Sequence, residues 1–177
     1  MAEVIPFRGL VYRPTAALGQ ESRDASSLLA PPYDVIGEAE RRSLAGQSAF
    51  NSVHLILPQP PVGAEGDARY AVAGATLLAW QRGQVVTRDE QPAFYRYHQV
   101  FSPPGEPSAA KVVRRGFIAR IRLHRFAEGV ILPHERTLSG PKVDRLKLKR
   151  ATRTHLSQVF GLYDDPERNA DAAFAAI

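Results

Sequence analysis

The sequence predicts an α+β fold in which helices pack on a mixed, mostly antiparallel sheet. Three observations carry this. An apolar stripe of helical period, Tyr70, Ala73, Leu77 and Trp80, runs through Asp67–Arg82. Two β-rich stretches, Ala93–Phe101 and Val112–Phe126, flank a turn-forming loop, Pro103-Pro-Gly-Glu-Pro-Ser108. The chain has 177 residues and is 44% hydrophobic, enough for one sizeable core without covalent staples. Residues 1–165 are expected to form a single domain, and residues 166–177 to begin a C-terminal helix.

The elements follow in order. Ile5–Tyr12 reads as an opening strand with Pro6 at its edge, where a missing N–H is tolerated. Residues 14–30 are small and turn-rich. Pro31-Pro-Tyr-Asp34 cannot continue a helix, and Asp34 can cap or precede a short one at Gly37–Ala45 that stops near Gly46. Asn51–Leu57 reads as a buried strand by its β-branching and alternation. A Pro- and Gly-rich loop spans Pro58–Gly66. The helix Asp67–Arg82 comes next, with Gly83 just past its end. In the later strand, Phe117, Ala119, Ile121 and Leu123 face one way, and Arg120, Arg122 and His124 the other. Pro141–Thr154 reads as a helix, Ser157–Tyr163 as a strand, and Pro166–Ile177 as a helix with Pro near its first position.

There are no cysteines, which excludes disulfides, thiolate metal sites and cysteine nucleophiles. No basic region followed by an apolar run marks a signal peptide, and no apolar run approaches the ~20 residues of a membrane span. The expectation is a cytoplasmic protein with no membrane partner. Net charge is +5, but its placement is more informative. Residues 108–155 hold 13 Lys/Arg against 3 acids, while residues 1–107 hold 9 against 11. One segment is therefore basic: it is either a solvated face or a site for a small phosphorylated or otherwise anionic ligand, with nucleic acid as a weaker candidate.

Within that segment, Ile131-Leu-Pro-His-Glu-Arg-Thr-Leu-Ser-Gly-Pro-Lys-Val-Asp-Arg145 holds most of the chemistry. A helix starting at Pro141 would place Ser139 or Gly140 at its cap, and its unsatisfied N–H groups and positive dipole end favour an anion. Lys142, Arg145, Lys149 and Arg153 then lie in a band of roughly 80° on that helix. The opposite face carries Asp144, Leu148, Ala151 and His155. Glu135 can act as a general base, ligate Mg²⁺, or brace Arg136 or Arg145. His134 can be a base, a phosphate donor or a structural histidine. A zinc-protease helix is excluded because Leu138 stands where the second His is needed. The rigid Pro31-Pro32 pair suits a pocket wall presenting Tyr33 and Asp34, the latter a Mg²⁺ ligand, a hydroxyl acceptor or a cap. Phosphate-loop, dinucleotide and serine-hydrolase motifs are missing.

An ordered set of motifs adds a resemblance. Val4-Ile-Pro-Phe-Arg-Gly-Leu10, Ala30-Pro-Pro-Tyr-Asp-Val35, Leu78-Leu-Ala-Trp-Gln-Arg-Gly83, Gly116-Phe-Ile-Ala-Arg120, His134-Glu-Arg-Thr137, Lys142 with Asp144-Arg145, and Val159-Phe-Gly-Leu-Tyr163 resemble the N-terminal half of the bacterial and archaeal family DUF1015. That family is of unknown function and is loosely labelled as related to serine biosynthesis. The resemblance implies a chain truncated or split relative to other members.

A more distant resemblance links His134–Thr137, the basic helix and Val159–Tyr163 to ParB/sulfiredoxin-like domains. In those domains a Gly-x-Arg-Arg turn holds nucleotide phosphates, and some relatives phosphorylate free serine. His134-Glu135-Arg136-Thr137 replaces that turn here. This implies a ParB/sulfiredoxin-like fold and a phosphotransferase acting on a small hydroxylated metabolite such as serine. It also implies ATP or ADP with Mg²⁺ as cofactor. Arg136, Thr137, Ser139, Lys142 and Arg145 would hold phosphates; Glu135, His134 and Asp34 would serve catalysis; Tyr33 and Pro32 would line the substrate pocket. A nucleotide- or phosphate-binding module without turnover is the alternative, and a DNA-binding protein a further one.

Overall fold

The computed structural model describes residues 2–13, 25–105, 110–134 and 138–175. The fold is α+β, and it divides into two compact units. Every strand pairing among the described residues is antiparallel, in three two-stranded ribbons rather than one mixed sheet.

The larger unit comprises Leu10–Asp89 and His134–Gln158. Strand β2 (Leu10–Tyr12) pairs with β3 (Val86–Arg88) in the register Leu10↔Arg88, Val11↔Thr87, Tyr12↔Val86. Helix α1 spans Glu38–Gln47, α2 Val53–Ile56, α3 Ala68–Arg82 and α4 Ser139–Thr152. The stripe expected on α3 is the core: Tyr70, Ala73, Leu77 and Trp80 are all buried. Trp80, Leu77 and Leu55 pack with Val85 and Val86, and Tyr12 and Phe50 close on the Trp80 ring. Gly83 ends α3 as expected, but the left-handed residue of the turn is Gln84 (φ 58°). That turn lets the Val85 N–H reach the Trp80 carbonyl at 2.9 Å and sends the chain into β3. Helix α4 crosses α3 through Leu148, packed on Tyr70 and Ala73. Gly74 permits the approach, since a Cβ there would lie 2.8 Å from the Ala151 carbonyl oxygen.

Asn51–Leu57, expected as a strand, is instead the short helix α2 with its lead-in. The buried Asn51 side chain is the reason. Its Oδ1 accepts the Val53 N–H at 2.9 Å, while its Nδ2 donates to the carbonyls of Ser27 (2.8 Å) and Leu29 (3.0 Å). This side-chain bond turns the backbone into a helical start. Burial of Val53, Leu55 and Ile56 within one turn mimics a strand's apolar run.

The smaller unit comprises Met1–Gly9, Glu90–Pro133 and Val159–Ile177. Its main feature is the hairpin of β4 (Tyr95–Phe101) and β5 (Val112–Ile118), paired from Tyr95↔Ile118 to Phe101↔Val112. The opening strand expected over Ile5–Tyr12 is interrupted: β1 is only Val4–Ile5, Phe7 bridges Ala93, and the next strand starts at Leu10. The interruption falls at Gly9, whose N–H donates to Tyr95 Oη at 2.7 Å and which has the Tyr95 ring where a Cβ would sit. The strand expected over Val112–Phe126 breaks at Ala119 and changes partner, so that β6 (Arg120–Ile121) pairs with β1. With β1 so short the ladder runs out, Leu123 is exposed, and the chain enters a 3₁₀ turn at Phe126–Glu128.

Ser157–Tyr163 is irregular rather than a strand. No neighbouring strand among the described residues supplies its backbone with a ladder, and Val159 and Leu162 stand in solvent. The last helix, α5, spans Asn169–Ala175 within the described residues. Pro166 lies in the turn before it, and Asp165 accepts the N–H groups of Asn169 and Ala170, each at 2.9 Å. No helix of the described residues is long and apolar enough to cross a membrane.

Candidate functional site

The sequence places the basic, anion-ready segment at the start of α4. Glu135, Arg136 and Thr137 lie outside the described residues. His134 is exposed. Helix α4 begins two residues before Pro141, with Leu138 rather than Ser139 or Gly140 at the cap position. Ser139 and Gly140 therefore form the first turn, and Pro141 follows where an N–H has no intrahelical acceptor to lose. Leu138 has no side-chain oxygen to offer, so no side chain of the described residues caps this end.

The basic stripe is shorter than the helical wheel implies. Lys142 and Lys149 are exposed as expected. Arg153 is the C-cap with φ 50°, outside the helical register. Arg145 turns inward: its side chain keeps 21% of its surface exposed. Two groups recruit it. Its guanidinium carbon sits 4.0 Å from the centroid of the Tyr33 ring, a close cation–π stack. Its Nε donates to Asp144 Oδ2 at 2.8 Å, and its Nη2 donates to the same oxygen.

Asp144 is the hub that sequence reasoning left on the core face. Tyr70 Oη donates to its Oδ1 at 2.7 Å and Arg69 Nη2 at 2.9 Å. Burial by itself would raise the Asp144 pKa. The hydrogen bonds from Tyr70 and Arg145, with the charges of Arg145 and Arg69, outweigh it and hold the carboxyl below its ordinary range. The cluster thus pairs one carboxylate with two guanidiniums and keeps a surplus positive charge. Two guanidinium nitrogens, Arg145 Nη1 and Arg69 Nε, are buried with no hydrogen-bond partner among the described residues. Beside the cluster, Lys147 Nζ donates to both Asp67 carboxylate oxygens at 2.8 Å.

Tyr33 reaches Arg145 from a turn in which the Val35 N–H donates to the Pro32 carbonyl at 3.2 Å. Tyr33 and Asp34 are the central residues of that turn, fixed in direction by Pro32. Asp34 is exposed and does not cap α1, whose cap position is Gly37. Of the expected site residues, then, Tyr33 and Arg145 are brought together. Arg69, Tyr70 and Asp144 join them unforeseen. Two signals pointed that way: a carboxylate on the helix face that also carries Leu148 and Ala151, and a core tyrosine whose hydroxyl needs a partner. Among the described residues no three His, Asp or Glu side chains cluster as a metal site.

The family model described as "Protein of unknown function (DUF1015)" matches residues 4–177, nearly the whole chain. The chain belongs to the DUF1015 family. No curated protein and no solved structure matches it.

Proposed function

We propose that this protein binds the phosphates of a nucleotide at the start of α4 and transfers one to a small hydroxylated metabolite such as serine. The observation that supports this best is the state of Arg145. Tyr33 and Asp144 pin it, and its Nη1 is buried with no acceptor among the described residues. A cation held in place before the ligand arrives loses little freedom on binding, and a buried donor without a partner calls for an acceptor. The surplus charge of the cluster, the exposed Lys142, and the Ser139 and Gly140 N–H groups at the dipole's positive end all favour phosphate oxygens.

In the transfer, the acceptor hydroxyl oxygen bonds to the terminal phosphorus, and the bond to the leaving phosphate oxygen breaks. The electron pair leaves with the nucleoside diphosphate, and Glu135 takes the hydroxyl proton. Such chemistry is driven mainly by positioning and charge neutralisation, which a fixed guanidinium supplies. Mg²⁺, when bound, would neutralise phosphate charge. Asp34 is the carboxylate that would hold it among the described residues.

A phosphate- or nucleotide-binding module without turnover is favoured by a separate observation. Asp144 already accepts hydrogen bonds from three residues, so it is not a free base beside Arg145. A DNA surface along α4 has less support, because Arg145 and Arg153 leave the stripe.

A thermal-shift and calorimetric series with ATP, ADP, CTP, serine and Mg²⁺ tests all three readings. A nucleotide at a hundred times its Kd should add about 2.7 kcal/mol of stability. Arg145→Lys, which keeps the charge but loses the planar fork and the stack, should weaken nucleotide binding by about tenfold. Glu135→Gln should abolish phosphoserine formation while leaving affinity intact; binding without turnover in the wild type selects the module instead. No stabilisation by any nucleotide removes both readings. Tight, steeply salt-dependent duplex binding would favour DNA.

A further inference from the structure

A concave site lies wholly within the smaller unit and shares no residue with the Arg145 cluster. One face of the β4–β5 hairpin carries Arg96, His98, Arg115 and Phe117, because Arg96 lies opposite Phe117 and His98 opposite Arg115 in the register. That face forms a wall of a cavity of about 610 Å³, completed by Tyr163 and α5. The size falls within the roughly 300–1,000 Å³ typical of small-molecule sites.

The cavity has a floor of mutually inclined aromatic rings and a cationic wall. Phe117 is the centre of the floor, with the Tyr163 ring at 5.5 Å and the Phe174 ring at 5.4 Å. On the wall, Arg115 donates to Asp171 at 3.1 Å, and Asp171 is also held by Arg168 at 2.7 Å. The side chains of Arg96 and His98 have neither an ion pair nor a hydrogen bond among the described residues, although both residues line the cavity. Two arginines, Arg96 and Arg115, on adjacent cross-strand pairs of one sheet face repel each other without an anion beside them. The two carboxylates of the lining, Asp171, already engaged by two arginines, and Glu167, leave one positive charge in excess over Arg96, Arg115 and Arg168. A purely solvated basic face would need neither concavity nor an aromatic floor.

The geometry points to a binding site for a small aromatic anion, its ring against Phe117, Tyr163 and Phe174 and its phosphate or carboxylate between Arg96, His98 and Arg115. The head group is the shared chemistry of aryl phosphates, nucleoside monophosphates included, and aryl carboxylates; separate probes tell them apart.

The test is an NMR titration of the ¹⁵N-labelled full chain with phenyl phosphate, benzoate and inorganic phosphate. Saturable shifts confined to the hairpin and α5 are expected for at least one aromatic probe, with affinity at least tenfold above that of inorganic phosphate. The tighter of the two aromatic probes identifies the head group. Arg96→Ala removes a side chain that has no partner among the described residues, so its fold should be unchanged, and it should weaken binding by about tenfold. Arg145→Lys should leave this binding unaltered, which separates the site from the one on α4. Failure of both aromatic probes to saturate at millimolar concentration, equal binding of inorganic phosphate, or indifference to Arg96→Ala would each overturn the assignment.

Discussion

Replacing Gly74 with Ala sets two effects of known size against each other. Gly74 lies in the middle of α3, where alanine is normally favoured over glycine by about 1 kcal/mol. At this position the new Cβ would lie 2.8 Å from the Ala151 carbonyl oxygen, a backbone atom that cannot rotate away. An unremarkable contact begins at 3.4 Å, so α4 must retreat by about 0.6 Å. The retreat loosens Leu148, only 2% exposed, and stretches the 2.7 Å bond from Tyr70 to Asp144 toward ~3.3 Å, outside the good range for O–H···O. Overpacking of this kind costs about 1–3 kcal/mol and the weakened hydrogen bond about 1 more. The expected net loss is therefore about 1–3 kcal/mol. Gly46→Ala is the matched control: Gly46 lies in α1 with nothing within 4 Å of its added Cβ, so a gain of up to about 1 kcal/mol is expected. Both report through Trp80, the single tryptophan of the chain and a buried core residue of the same unit, in urea unfolding followed by fluorescence. A Gly74→Ala midpoint at or above wild type would show that α3 and α4 are not in the close contact that holds Asp144 in place.

Two further outcomes can be read with the same assay. Asn51→Ala should cost about 2–4 kcal/mol, because it strips a buried N–H and two carbonyls of their partners; a loss below about 1 kcal/mol would mean that water or another group replaces it. Asp144→Asn should cost about 2 kcal/mol at pH 7, below the full figure for a buried pair because a quarter of the Asp144 side chain is exposed. The Asp144 pKa is depressed in the folded state, so its stabilisation is complete above the unfolded value near ~3.9 and disappears as pH falls through the folded value. The gap between wild type and Asp144→Asn should therefore close below about pH 4, and a gap independent of pH would discount the carboxylate's charge.

The elements readable from the sequence are those whose signals are local. Helix α3 carries its own period and its own stop, so its buried face was legible residue by residue. The β4–β5 hairpin is legible because its loop contains residues unsuited to either strand. Asn51–Leu57 was not, since a short apolar run fits a strand or one helical turn equally, and the choice is made by Asn51 bonding to Ser27 and Leu29. Ser157–Tyr163 has strand-forming residues, but a strand exists only where another offers hydrogen bonds.

The candidate site divides in the same way. By itself the sequence determined the concentration of positive charge between residues 108 and 155, the prolines that direct Tyr33, and the helix that leads away from the polar turn. All three depend on residue type and short spacing. Only the tertiary structure decided that Arg145 leaves the exposed stripe to lie against Tyr33, and that Asp144 serves as an anchor for Tyr70, Arg69 and Arg145. Those contacts join segments far apart in the chain. A guanidinium's direction is set by the nearest carboxylate and ring in space, which no local period encodes.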